Sequence, residues 1–433
     1  MLRRIKGLLE ASDINGYKII ETKTDSNELF YVKKDLDMER TKTVQHFKVT
    51  VYKNIEQDGI KYTGSSEFNI HPTMEDGEIR KAINDATFSA GFVKNEYYEL
   101  PEANKENVCS TKSQFSSMEL EKWMPKLTEA LYANDTEEKG GINSAEIFLE
   151  KIYTRVVTSK GIDVSYEKYN GMIEFITTWR EEHEEEIELY KMLTFSDYDP
   201  EYIKNSVKER IELAKERTRA KQMPPSGKYK IILTGSDVAE VFSYYVNAAN
   251  AATVYDKISN YKIGDSVQGD KVSGDLLNLT LDPTLSNSAY SVPIDDDGLA
   301  LHKTAVIENG KLMTYHGSFR YNHYLRNKPT GIIKNVVVAA GSKSAEEMRK
   351  GTYIELAAFS DFQMDPITGD FGGEIRLGWY CDGNTKVPIT GGSLSGNIKK
   401  VHSNMHFSKE LQKDDYFYGP KSIEMYDLTI AGK

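Results

Sequence analysis

The chain has 433 residues, enough for two or three domains with sizeable cores, and its 39% hydrophobic and 28% charged residues are ordinary for a globular protein. A net charge of −11 argues against direct nucleic-acid binding and against attraction to anionic membrane surfaces. No run approaches the ~20 apolar residues that a membrane-spanning helix needs, which excludes that class of protein.

The first third reads as mixed α and β. Residues 29–32 and 47–52 alternate like strands, and Gln57-Asp58-Gly59 supplies a turn into a strand at 60–62. A helix is expected from about Thr73, whose hydroxyl can cap it, with Glu75 and Asp76 at its positive end. Ile79, Ile83, Ala86 and Ala90 then share one face. Residues 117–132 predict another helix, which Pro125 should start, kink or split.

In the next block, 145–152 reads as a strand, and 154–159 and 162–166 flank Lys160-Gly161 as a hairpin. Residues 172–178 and 186–193 read as strands joined by the acidic stretch 181–185. Asp199-Pro200 opens a long helix, with proline in its tolerated first turn and Ile203, Val207, Ile211 and Ala214 as its apolar stripe. Lys215, Arg217, Arg219 and Lys221 cluster at its end, but Glu212 and Glu216 interrupt them, so they read as a solvated helix end.

Gln222-Met223-Pro224-Pro225-Ser226-Gly227 stops that helix and marks the best domain boundary. The expected domains are 1–222, with a further break near 105–140, and 228–433. Beyond the boundary, 229–233 reads as a strand. A helix follows, capped by Ser236 or Asp237 and running to about Ala249. Asn309-Gly310 between 305–308 and 311–315 is a two-residue hairpin signature, and 336–340, 353–358, 374–380 and 423–430 are strand candidates. The fold class expected is α+β, with N-terminal mixed α/β segments followed by a β-rich C-terminal domain.

Catalytic motifs are near-misses. Of the eight histidines (His46, His71, His183, His302, His316, His323, His402 and His406), only His402 and His406 stand four apart, and serine occupies the place of the glutamate a zinc helix needs. They read as surface or packing residues. His183-Glu184 continues as glutamates without a second histidine and reads as a charged loop. His316 and His323, seven apart, read as lying on a strand end and loop. Asp295-Asp296-Asp297-Gly298 lacks the alternating acids of a calcium loop and reads as a solvated turn. The glycine-rich Gly391-Gly392-Ser393-Leu394-Ser395-Gly396-Asn397 lacks a P-loop lysine and suits a tight turn close to backbone or ligand. Cys109 and Cys381 make no disulfide framework, and no signal-peptide stretch follows Arg3, Arg4 and Lys6, so a cytoplasmic location is expected. Cys381, after Trp379-Tyr380, reads as a small buried apolar group.

An ordered set of segments runs through roughly 270–433. It begins with Pro293-Ile294-Asp295-Asp296-Asp297-Gly298, His302-Lys303-Thr304, Val306-Ile307-Glu308-Asn309-Gly310-Lys311-Leu312 and Pro329-Thr330-Gly331. It continues through Thr368-Gly369-Asp370-Phe371, Val387-Pro388-Ile389-Thr390, Ser395-Gly396-Asn397-Ile398 and Leu428-Thr429-Ile430-Ala431-Gly432. In this order the segments resemble the TldD/PmbA family, described as modulators of DNA gyrase. The resemblance implies two branches that pair as a heterodimer degrading or trimming peptides. In one branch a helix binds zinc through a histidine, an adjacent glutamate and, after three further residues, a second histidine. The matching helix here begins Asp237-Val238-Ala239-Glu240 and contains no histidine. A carboxylate without zinc cannot generate the hydroxide nucleophile at neutral pH.

The resemblance therefore implies a PmbA/TldE-like subunit with no catalytic residue and no metal ligand of its own. Zinc is expected in a TldD-like partner subunit, with a homodimer as the other assembly. An extended peptide substrate is expected against strand edges or glycine-rich backbone. Gly391, Gly392, Gly396, Asn397, Thr368 and Gly369 are the candidate substrate-binding residues. One alternative is a non-catalytic peptide-binding or regulatory protein acting on a toxin or on gyrase-linked factors. Another is an independent enzyme using His302, His316, His323, His402 or His406.

Overall fold

The structure, a computed structural model, describes residues 1–103, 112–181 and 186–432; Cys109, His183 and most of the acidic stretch 181–185 lie outside them. In the N-terminal region the strands are β1 (Gly16–Val32), β2 (Asp35–Gln57), β3 (Ile60–Ile70), β4 (Asn95–Glu96), β5 (Gly140–Thr158), β6 (Asp163–Trp179) and β7 (Ile187–Phe195). They form one antiparallel sheet in the order β4-β3-β2-β1-β5-β6-β7. The helices are α1 (Leu2–Glu10), α2 (Asp76–Ala90), α3 (Leu120–Tyr132) and α4 (Pro200–Thr218). They lie on one face of the sheet and divide its core in two. Ile5, Ile79 and Ile83 cover Ile19, Phe47 and Val49 at one end, while Leu127, Val207 and Ile211 cover Ile147, Ile173 and Phe175 at the other.

Several strands run much longer than their buried alternation. Residues 35–41 of β2 are exposed and pair only with β1, so Leu36 and Met38 alternate there without being covered. Buried alternation begins near Phe47, where α2 covers the sheet. The expected helix at Thr73 starts instead at Asp76, because Glu75 and Glu78 form a reciprocal capping box. Pro125 does not break α3; it lies on the exposed side, where the helix tolerates the lost donor, and Ser117 belongs to a separate 3₁₀ turn, Gln114–Ser117. The Asp199 carboxylate caps α4 by accepting from the Tyr202 N–H at 3.0 Å. The far end of α4 is less solvated than its charges suggest, since Arg217 donates to the Arg376 carbonyl.

The later strands are β8 (Lys221–Gln222), β9 (Gly227–Thr234), β10 (Leu279–Leu281), β11 (Thr304–Glu308), β12 (Lys311–Leu312), β13 (Val336–Val338), β14 (Thr352–Met364), β15 (Asp370–Asp382), β16 (Lys386–Thr390), β17 (Ser393–Asn397), β18 (His406–Phe407), β19 (Leu411–Asp414), β20 (Phe417–Pro420) and β21 (Ser422–Ala431). The helices are α5 (Val238–Ala248), α6 (Ala251–Tyr255), α7 (Phe319–Tyr324), α8 (Ala345–Met348) and α9 (Ile398–Val401). One sheet runs β12-β11-β10-β13-β20-β19 and the other β14-β9-β21-β17-β15-β16-β8. Because β15 also pairs with β14, the strands β14, β9, β21, β17 and β15 form a closed circuit. Strand outweighs helix, 44% to 21%, which makes the fold α+β and β-rich.

A single core joins both C-terminal sheets around α5. Phe242 is fully buried, stacks on Phe417 with centroids 5.6 Å apart, and meets Phe407 edge-on. The Asn309-Gly310 hairpin forms as expected, both residues having positive φ.

The Asp295–Gly298 turn is not solvated as expected. It docks on the sheet face opposite the N-terminal helices, where side-chain alternation places Lys18 and Ile20. Ile294 packs with Ile20 and Val156, and Lys18 donates to Asp297 at 2.7 Å. Asp295 is buried and its Oδ1 accepts from the Asp297 and Leu299 N–H groups, both at 2.9 Å.

Candidate functional site

Helix α5 organises two clefts. Its residues Val238, Val241, Phe242 and Tyr245 enter the core, leaving Glu240 and Asn247 only partly buried. Glu240 accepts a hydrogen bond from the Tyr416 hydroxyl at 3.1 Å. Burial and the neighbouring Glu240 charge raise the Tyr416 pKa far above neutrality, so this hydroxyl stays a donor. At the spacing of the zinc helix, the positions around Glu240 are held by Ala239 and Tyr244, both buried in the core. Neither can ligate zinc as an imidazole does, so α5 does not fit a zinc ion.

The first cleft, of about 370 Å³, lies between the C-terminal end of α5 and the β14–β15 turn; Tyr244, Asn247, Tyr261, Pro366, Ile367 and Lys399 line it. Asn247 holds the turn by donating to the Pro366 carbonyl at 3.0 Å. Four of the six residues expected to bind substrate meet behind this wall. The turn is set by Asp365, whose carboxylate accepts from the Ile367 and Thr368 N–H groups. Gly369 has φ +81°, and a Cβ there would come within 2.7 Å of the Ile398 side chain, so glycine is required twice over. Asn397 caps α9 and donates to Asp370 at 2.7 Å and to the Thr368 carbonyl at 3.3 Å. Gly396 pairs with Phe371, and its missing Cβ makes room for Phe371 and Leu428. Gly391 and Gly392 stand apart, about 13 Å further along β17 at ~3.3 Å per residue. There they form its turn from β16 with φ +82° and +70°.

The second cleft, of about 390 Å³, lies against another side of α5 and is lined by Val246, Asn250, Tyr290, His316, Ile332 and Tyr416. His316 is buried with Nε2 2.7 Å from the Val246 carbonyl, and burial lowers its pKa, keeping the imidazole neutral. Only tertiary contacts bring Tyr416, His316 and α5 together, so spacing along the chain could not reveal this cleft.

Among the described residues, the other histidines do not converge on it. His323 sits on α7, a helix where a strand end and loop were expected, and stacks on Phe319. His402 terminates α9 and packs parallel to the Tyr245 ring, while His406 lies in β18, so the two share no helix face. Cys381 is buried with Ile232, Met348 and Tyr353 as a small apolar group. No helix among the described residues is long and apolar enough to cross a membrane.

Residues 226–432 match the PmbA/TldA metallopeptidase C-terminal domain. The C-terminal domain is thus similar to that of a metallopeptidase family, while α5 carries no imidazole ligand. An uncharacterised protein of Methanocaldococcus jannaschii is 25% identical over 43% of this chain and 47% of its own length. The metalloprotease PmbA of Escherichia coli O157:H7 is 26% identical over 41% and 40%. The matches thus span less than half the length of these curated relatives. Solved structures share the fold over nearly the whole chain. TldE from Thermococcus kodakarensis has a TM-score of 0.79 at 15% identity, covering 99% of this chain and 100% of its own. A candidate modulator of a DNA gyrase from Thermotoga maritima has a TM-score of 0.79 at 17% identity, covering 99% of both chains. Residues 226–432, just under half of the chain, thus carry the C-terminal domain of the PmbA/TldA metallopeptidases.

Proposed function

We propose that this protein is a PmbA/TldE-like subunit of a peptide-cleaving assembly in the cytoplasm, in which a TldD-like partner carries the zinc. The reading rests on one observation above the others: α5 retains Glu240 but builds Ala239 and Tyr244 into the core. Refitting imidazoles there would mean dismantling packing around buried aromatic rings. Glu240 is instead committed to Tyr416.

In this reading the chain contributes binding surface rather than chemistry. The cleft beside the Asp365–Asp370 turn is wide enough for one or two side chains of an extended peptide. Thr368, Gly369, Gly396 and Asn397 hold the backbone of that wall in place.

The test is reconstitution. Purified protein is mixed with a family member carrying the paired-histidine helix, and peptide cleavage is followed with and without a chelator. The expected result is cleavage that needs both chains and stops on zinc removal. Cleavage by the partner alone at the same rate, with the mixture no faster, would rule the subunit role out.

A further inference from the structure

A third cleft, of about 410 Å³, opens where α4 crosses the C-terminal domain. One wall is the α4 face bearing Arg210; the other is the β9–α5 turn, Thr234 to Ser236, with β19 beside it. The cleft is far richer in charge than the two beside α5, and its charges do not all find partners.

Lys191 is paired with Asp414 at 2.9 Å. Arg349 forms an ion pair with Glu355, which Lys386 also meets at 2.9 Å. Lys413 donates to the Asn287 carbonyl at 2.6 Å. Arg210 is different. It reaches no carboxylate at ion-pair distance and no hydrogen-bond acceptor among the described residues, and feels Glu209, Asp414 and Asp237 only at longer range. As a residue it is partly exposed, yet its charged end is desolvated enough to lower its pKa. None of its nitrogens is among the buried atoms sealed from solvent, so its donors face the open cleft.

A guanidinium offers five N–H donors in a planar fork, and here only the cleft is left to supply their acceptors. The fork suits a planar oxyanion gripped by two parallel hydrogen bonds. The opposite wall is the turn leading into α5, where the Val238 and Ala239 N–H groups already donate to the Gly235 and Ser236 carbonyls, so Arg210 is the donor left to grip a ligand. With the ion pairs set aside, Arg210, Lys413, whose hydrogen bond goes to a neutral carbonyl, and the exposed Lys421 stand against the exposed Glu209 in the lining, so the cleft carries a positive surplus that favours an anion.

We propose that this cleft is a carboxylate-binding site, with Arg210 gripping the carboxylate across from the Thr234 to Ser236 turn. The ligand class is a carboxylate, borne either by a peptide (an acidic side chain or a free C-terminus) or by a small organic acid. The site stands independently of the subunit role, because it uses neither Glu240 nor the peptide cleft.

The test uses the full chain, titrated calorimetrically at constant ionic strength with acetate, inorganic phosphate, and a short acidic peptide with a free or an amidated C-terminus. Saturable binding of acetate or peptide is expected, tighter than that of phosphate. R210K should weaken it about tenfold, R210Q should abolish it, and K421Q should weaken it only a few-fold. Amidation separates the sources: loss of peptide binding points to the C-terminus, retention to the acidic side chain, and acetate binding without peptide binding to a small acid. Circular dichroism verifies folding, and R210K and K421Q keep the test decisive if R210Q does not fold. Heats no larger than those of chloride, phosphate binding tighter than acetate, or unchanged binding by R210K would each overturn the proposal.

Discussion

The Asp295 turn couples the two halves of the chain, and its titration can be measured. Burial, followed by the neighbouring Asp297 charge, raises the Asp295 pKa to about 7 from an ordinary 3.8. The folded protein therefore keeps a proton on this carboxyl over a range where the unfolded chain has released it. Between about pH 4 and pH 7 the folded state binds more protons, so this group's contribution to stability falls as pH rises through that window. The full displacement corresponds to roughly 4 kcal/mol at most. Asp295→Asn removes the titration while keeping an oxygen to accept from the Asp297 and Leu299 N–H groups. The variant should match the parent near pH 4 and become progressively more stable above it, gaining about 2–4 kcal/mol by pH 8. Urea unfolding midpoints measured from pH 4 to pH 8.5 give the answer. A difference between variant and parent that stays constant across this range would refute the assignment of a buried, protonated Asp295.

Tyr416→Phe removes the donor that Glu240 accepts at 3.1 Å and should cost about 1–2 kcal/mol in chemical unfolding. Gly369→Ala places a Cβ within 2.7 Å of Ile398 at a positive φ, so a loss of about 2–4 kcal/mol is expected by the same measurement. Phe242→Ala empties a fully buried position between Phe407 and Phe417 and should lower stability by about 3–5 kcal/mol, read as a large drop in Tm.

Local patterns were readable where one residue's environment repeats along the chain. The stripes Ile79-Ile83-Ala86-Ala90 and Ile203-Val207-Ile211-Ala214 are buried as expected, because a covered helix face imposes its own period. Asn309-Gly310 turned where it should, because few residue pairs adopt positive φ at low cost. Strand ends were not readable. In residues 35–41 of β2, Leu36 and Met38 alternate with acidic residues yet stay exposed, so the alternation there marks no buried face. The three consecutive aspartates looked solvated because nothing near them in sequence reveals Lys18, which lies 279 positions away.

The amino-acid order alone determined the α+β class, the main helices, the absence of histidine from 238–248, and the resemblance to the TldD/PmbA family. Each depends on neighbours within a few positions or on a linear order of segments. Only the tertiary structure decided that Thr368 and Gly369 meet Asn397 while Gly391 and Gly392 do not, that Tyr416 reaches Glu240, and that Arg210 faces an open cleft with no hydrogen-bond or ion-pair partner among the described residues. These pairings join residues tens to hundreds of positions apart. Chain closure over such distances is set by how sheets and helices pack around a shared core, which no local spacing encodes.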